Sequence, residues 1–332
     1  MTSPPAGLRA MDSGSDADSL SALGGSKRSV LEGVHSTYAV DAKDGGAETI
    51  VAPSNSSDAR ASGVEEPRGM KRVPGGTFRM GSQSTGEEDE RPEHEVKVHT
   101  YFLDTYEVTR AEYAECVAMA KCAAPTAKFA PFTSSQVERM FMRPRMPVVG
   151  VDWENARMYC EWNHKRLPTE AEFERAVRGD DGRKYPWGQN DPSEELTVYH
   201  RPLGVNGLEE VGSRPKGVGP YGHHDLAGNV WEWSQDLYDP YAYRRETASQ
   251  GTPGSCNEIK AAQNELRKKG LQGFTGSNPI PTECERSIRG GAFNFDAYGL
   301  RSTNRVHHPA GFRLMMLGFR CAKSAEDNAA SQ

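Results

Sequence analysis

Six cysteines, nine histidines and one run of four acids carry most of the reactive chemistry in this chain. Cys116 and Cys122 are six apart, close enough for a local bridge if their Cβ atoms face each other. Cys160, Cys256, Cys284 and Cys321 are scattered, and spacing alone selects no pairing among them. The histidines include His94 with His99, His223-His224 beside Asp225, and His307-His308. Adjacent histidines are more often hydrogen-bonding groups than ligands, and two alone do not make a facial triad. The acidic run Glu87-Glu88-Asp89-Glu90 reads as a solvated loop, with a cation site as the sharper alternative. Gly228-Asn-Val-Trp-Glu232 is the best ion candidate. A glycine turn can aim the Gly228 and Val230 carbonyls inward, and Glu232 adds charge, a set suited to hard calcium. On spacing alone, Glu232 reads first as a buried hydrogen-bond acceptor.

The 332 residues suit one large domain or two modest ones, with a net charge of -6 and a pI near 5.9. That balance argues against nucleic acid as the main partner, although a local phosphate patch stays open. No apolar run approaches a membrane span. The start, MTSPPAGLRAMDSGSDADSL, has no apolar signal core, so the chain reads as cytoplasmic, with most cysteines expected as free thiols. Residues 1–68 hold no Phe or Trp and read as a disordered polar tail. A folded region is expected over 69–323, with a flexible end over 324–332.

Elements follow from caps and periodicity. Val73 to Gly81 reads as a turn and a short strand, and Val96 to Leu103 as a strand entering the core. Thr109 with Glu112 and Thr169 with Glu172 are capping boxes, and Asp152 caps a helix from Trp153. Phe173, Ala176 and Val177 supply the buried face of the third helix; Glu170, Glu172 and Glu174 read as cap and surface groups. The second half is loop-rich. Its exception is a helix over 257–269, inside a polar stretch of about 243–285 that reads as a surface insertion.

An ordered series of motifs resembles the sulfatase-modifying-factor, or formylglycine-generating-enzyme, family. It runs through Pro74-Gly-Gly-Thr-Phe-Arg-Met-Gly81, Phe102-Leu-Asp-Thr-Tyr-Glu-Val-Thr109 and Pro147-Val-Val-Gly-Val-Asp-Trp153. It continues through Lys165-Arg-Leu-Pro-Thr-Glu-Ala-Glu-Phe-Glu174, Tyr185-Pro-Trp-Gly188, Tyr221-Gly-His-His-Asp-Leu-Ala-Gly-Asn-Val-Trp-Glu-Trp233, Arg289-Gly-Gly291 and Gly318-Phe-Arg-Cys321. The resemblance implies a mixed α/β (α+β), loop-rich, C-type-lectin-like fold. It also implies a structural calcium on the Gly228 and Val230 carbonyls and the Glu232 side chain.

The resemblance implies a copper site built on two cysteines, which fall on Phe295 and Leu300 here. Neither side chain can ligate copper or bind a thiol, so copper is not expected. Cys321 matches a structural family position. The better reading is a domain that binds a protein, peptide or polar small molecule without generating formylglycine. Asn294, Asp296, Tyr298, Arg301, Asn304, Arg305, His307 and His308 fall in the segment corresponding to the family cleft. The alternative is a metal-dependent oxidoreductase: a nonheme iron enzyme of sulfur chemistry, or a formylglycine-generating oxidase with rearranged cysteines. Iron belongs to that alternative alone, and the chain has no His-x3-His-x-Glu signature.

Overall fold

The computed structural model describes residues 65–84, 86–126, 135–136, 141–202, 207–270 and 283–325. The tail expected over 1–68 lies outside the described residues as far as residue 64, as does the C-terminal end beyond residue 325.

Three helices begin where their caps predict. The α1 helix (Arg110–Ala118) and α3 (Glu170–Arg178) each carry the reciprocal box, through Thr109 with Glu112 and Thr169 with Glu172. The α2 helix (Trp153–Trp162) starts at Asp152, whose carboxylate accepts the Asn155 N–H. These bonds satisfy donors that the first helical turn leaves open. The α2 helix buries Trp153, Ala156, Tyr159 and Cys160. In α3, Phe173, Ala176 and Val177 are buried as expected, but so are Glu170, Glu172 and Glu174. The surface reading of those glutamates is thereby corrected. They are enclosed because arginines meet them. Arg166 pairs with Glu172 at 2.6 Å, and Arg178 reaches Glu174 at 3.3 Å.

Strands form three small sheets among the described residues. The β1 strand (Met70–Val73) pairs antiparallel with β4 (Tyr101–Asp104), which also carries β9 (Ala322–Ser324) on its other side. This pairing extends the folded body one residue past the expected boundary at 323. The β2 strand (Gly76–Met80) pairs with β3 (His94–Val98). The segment expected as one strand over 96–103 is therefore two strands in two sheets, divided at His99-Thr100. The largest sheet has the order β7-β6-β5-β8: β7 (Val306–His308), β6 (Arg286–Arg289), β5 (Trp231–Leu237) and β8 (Leu317–Gly318). Its β5–β8 pair is parallel and the other two are antiparallel. Trp233, Ile288 and Leu317 carry this sheet into the main core, with Tyr113, Cys160 and Phe319. Among the described residues no helix is long and apolar enough to cross a membrane.

All six cysteines are paired: Cys116–Cys122, Cys160–Cys321 and Cys256–Cys284. The free-thiol expectation is corrected by this pairing. Cys160–Cys321 ties α2 to the chain end across 161 residues, a closure that restricts the unfolded chain strongly. The polar insertion is less superficial than its composition suggests. Tyr243 packs with Phe78, Met80 and Val96, and α4 (Cys256–Lys268) buries Ile259, Gln263 and Leu266.

Candidate recognition site

The β6 strand delivers the chain to Gly290 and Gly291, both at positive φ. A Cβ on Gly291 would come within 2.5 Å of Leu300 Cδ2, so glycine is what lets Leu300 seat there. Leu300 is buried beside Tyr185 and Ala227. Phe295 packs edge-on against Trp231 at 5.1 Å. Positions 295 and 300 thus carry apolar packing and no sulfur.

Between them the loop turns outward. Asp296 Oδ1 accepts the Tyr298 N–H at 3.0 Å, an Asx turn that presents the Tyr298 ring. Tyr298 is 46% exposed, and its hydroxyl donates to Glu87 Oε1 at 2.8 Å. Asp296 is exposed, while Asn294 and His308 are half-buried. Asn294 Oδ1 is enclosed, with no hydrogen-bond donor among the described residues. His308 lies on Phe312 at 4.0 Å, and burial, reinforced by His307, pulls its pKa down to about 3. It is therefore a neutral imidazole.

The remaining residues of the expected patch belong to the interior. Arg301 stacks over Tyr298 at 3.9 Å and grips Glu90 with two bonds of 2.6 and 2.8 Å. Arg305 is fully enclosed; it binds Glu170 at 2.7 and 2.9 Å and donates to the Asp89 carbonyl at 2.8 Å. Asn304 is buried. His307 Nδ1 contacts Glu285 Oε2 at 2.7 Å, and its ring stacks on Tyr238 at 4.1 Å. Placing Arg301, Asn304, Arg305 and His307 on a ligand surface is corrected accordingly. Two guanidiniums are needed inside because Glu87, Asp89 and Glu90 are buried there.

The solvated-loop reading of the acidic run is corrected too: only Glu88 of the four faces solvent. Burial raises the Glu87 carboxyl pKa, and it also raises that of Asp89, where Arg305 and the Tyr238 hydroxyl oppose it. Sequence reading missed these acids as partners of the 294–305 loop. The available signal was a run of four acids and two arginines more than 200 residues downstream, which no local pattern connects. Glu285 was missed in the same way.

At the expected calcium motif, Gly228 has φ of +88°, and a Cβ there would lie 2.2 Å from Thr197 Oγ1. Glu232 is enclosed and takes Arg320 through two bonds of 2.7 Å. Glu107 and Asp225 stand close by. Asn229 donates to Glu107 at 3.1 Å and the Gly212 N–H to Asp225 at 2.6 Å. Burial raises all three carboxyls, and Asp225 and Glu232 push Glu107 further. One guanidinium faces three carboxyls; the donors of this set are all oxygen, as a hard cation needs, but both Glu232 oxygens are taken by Arg320. The set does not fit copper, which needs soft sulfur. Among the described residues no group of three or more His, Cys, Asp or Glu stands in metal-holding geometry. His94 with His99 and His223 with His224 are thus not assembled into such a group.

The profile of the sulfatase-modifying factor enzyme 1-like domain matches residues 55–325. The chain belongs to this family. It is 33% identical over 270 residues to Serine/threonine-protein kinase pkn1 of Chlamydia pneumoniae, covering 77% of this chain and 38% of the kinase. The chain thus spans well under half the length of that relative. It is 32% identical over 214 residues to the Inactive C-alpha-formylglycine-generating enzyme 2 of Bos taurus, covering 51% of this chain and 71% of that protein. Among solved structures, PvdO from Pseudomonas aeruginosa aligns with a TM-score of 0.57 at 23% identity, covering 77% of this chain and 94% of that one. The mixed α/β fold of the family is shared with it. This sulfatase-modifying-factor-like chain has no free cysteine pair, because its six cysteines form disulfides.

Proposed function

We propose that this family member recognises a protein, peptide or polar small ligand through its 294–308 segment and does not generate formylglycine. The observation that carries this reading is the replacement of a thiol pair by Phe295 and Leu300, both packed, with all six cysteines tied elsewhere. The outward groups are Asp296 and Tyr298, with Asn294 and His308 half-buried beside them. They combine a negative charge and an aromatic face with partly enclosed polar side chains, a mixture suited to oriented polar contacts. The buried ion pairs below them hold the loop in one conformation, which lowers the ordering cost of binding. The loop-rich second half supports a C-type-lectin-like arrangement as part of this proposal.

A structural calcium on Gly228, Val230 and Glu232 belongs to the same reading, supported by the carboxyl excess around Arg320. Three disulfides favour an oxidising compartment over the cytoplasm. The test is copurification from a native extract with the full chain and with an Asn294→Ala/Asp296→Ala/Tyr298→Ala variant. The proposal expects a partner that withstands salt, is lost from the variant and is lost without a fall in melting temperature. Equal retention by both proteins contradicts it.

A further inference from the structure

Two of the three disulfides are sealed inside the fold and the third is not. Cys116, Cys160 and Cys321 are 0% exposed and Cys122 is 7% exposed. Cys256 and Cys284 are only half-buried, flanked by exposed Ser255, Asn257 and Glu283. Cleaving a disulfide requires a thiolate to reach one of its sulfurs, so access decides which bond opens first.

The two accessible sulfurs are not equivalent. Cys256 is the first residue of α4, a helix of 13 residues. The positive end of a helix favours a thiolate placed there, which makes Cys256 the better leaving group. The acids nearby in sequence are engaged: Glu258 Oε2 accepts the Ser255 N–H at 2.7 Å, and Glu283 takes Lys260 at 2.7 Å. Cys284 precedes β6 and starts no helix.

This bond also joins the insertion to the largest sheet. Glu285 follows Cys284. Its carbonyl accepts the Tyr238 N–H at 2.8 Å, and its Oε2 meets His307 Nδ1 at 2.7 Å. The α4 helix itself is held at a cost. Gln263 is fully enclosed, and its Oε1 and Nε2 have no hydrogen-bond partner among the described residues. An enclosed amide without partners opposes docking of its helix, so a covalent tie is what offsets it.

We propose that Cys256–Cys284 is a redox-cleavable clasp, opened by a dithiol reductant, that controls whether α4 stays docked. One reductant thiolate attacks Cys284 Sγ, the Sγ–Sγ bond breaks, and its electron pair leaves on Cys256, which takes up a proton. The second reductant thiol then attacks the mixed disulfide, releases Cys284 as a thiol and closes the reductant's own disulfide. Two electrons and two protons pass from the dithiol to the protein. The clasp stands whether or not the 294–308 segment binds a ligand.

The test treats the full, oxidised chain with dithiothreitol at neutral pH, traps new thiols with N-ethylmaleimide and maps them by mass spectrometry. Cys256 and Cys284 should label together, at least about tenfold faster than the other four cysteines. Hydrogen exchange of the selectively opened protein should quicken in α4 and at Tyr238 and stay unchanged in α2. Unreduced Cys256→Ser/Cys284→Ser should show the same exchange pattern, which separates loss of the clasp from any effect of the reductant. With glutathione in place of dithiothreitol, the adduct should rest on Cys284 and the free thiol on Cys256. Equal or earlier opening of Cys116–Cys122 or Cys160–Cys321 overturns the proposal. So does unchanged exchange in α4, or acceleration that reaches α2 as well. A glutathione adduct mainly on Cys256 overturns the assigned leaving group.

Discussion

Arg305→Met is the substitution that separates the interior of the 294–308 segment from its surface. Arg305 gives Glu170 two hydrogen bonds of 2.7 and 2.9 Å in a fully enclosed position. Burial would raise the Glu170 carboxyl, but Arg305 and then Arg289 outweigh it and hold the pKa at about 2, against 4.5 without the fold. That gap corresponds to about 3 kcal/mol at neutral pH. Breaking a buried pair from one side costs about 3–5 kcal/mol, in agreement. Arg289 stays on Glu170 at 3.1 Å, so the lower end is expected. With a urea slope of about 3 kcal/mol/M, the midpoint should fall by about 1 M. The pH dependence follows from the sign of the shift. A depressed carboxyl pKa contributes stability above 4.5, and this is lost as pH falls towards 2. The gap between wild type and Arg305→Met should therefore narrow as pH drops from 5 to 3. The assay is urea unfolding followed by tryptophan fluorescence at both pH values, with Asp296→Asn as the surface control. An unchanged midpoint for Arg305→Met, with ligand recognition lost, would refute the interior assignment.

Other perturbations follow from the same structure. Burial, with Glu170 and Glu172 adding to it, raises Asp236 to about 7 although the Glu170 N–H opposes the rise. The folded state therefore holds a proton that the unfolded chain releases near pH 4, and stability should decline by about 2 kcal/mol from pH 4 to 7, discounted for partial exposure. Asp236→Asn should flatten that decline in pH-dependent melts, and an unaltered slope contradicts it. Calcium added after chelation should raise the melting temperature, and Glu232→Gln should lose most of the rise; equal melts with and without calcium reject that site. Denatured, unreduced protein should show no free thiol by a colorimetric titration, whereas six free thiols would reject the pairing.

Helix starts were legible because caps act locally. Thr109, Asp152 and Thr169 each answer donors only three residues away. The family motifs were equally legible as an ordered series. The interior of the candidate site was not. Glu90 meets Arg301 across 211 residues and Glu170 meets Arg305 across 135, contacts with no sequence period. Charged residue types ordinarily mark surfaces, so Glu170 and Glu174 read as exposed until their partners are placed, and internal salt bridges for Arg301 and Arg305 could be expected without naming the acids that make them. The division of the strand at His99-Thr100 was hidden for a related reason. Both halves are apolar on the core side, and only sheet pairing distinguishes them.

The central claim is that positions 295 and 300 pack rather than oxidise. Its most direct test incubates the purified, disulfide-intact chain with copper(I), oxygen, a thiol reductant and a cysteine-containing sulfatase peptide, and follows the peptide by mass spectrometry. No conversion of cysteine to aldehyde is expected, either in wild type or after Phe295→Cys alone, since one thiol does not make the pair. Copper-dependent aldehyde formation by the wild-type chain would contradict the account.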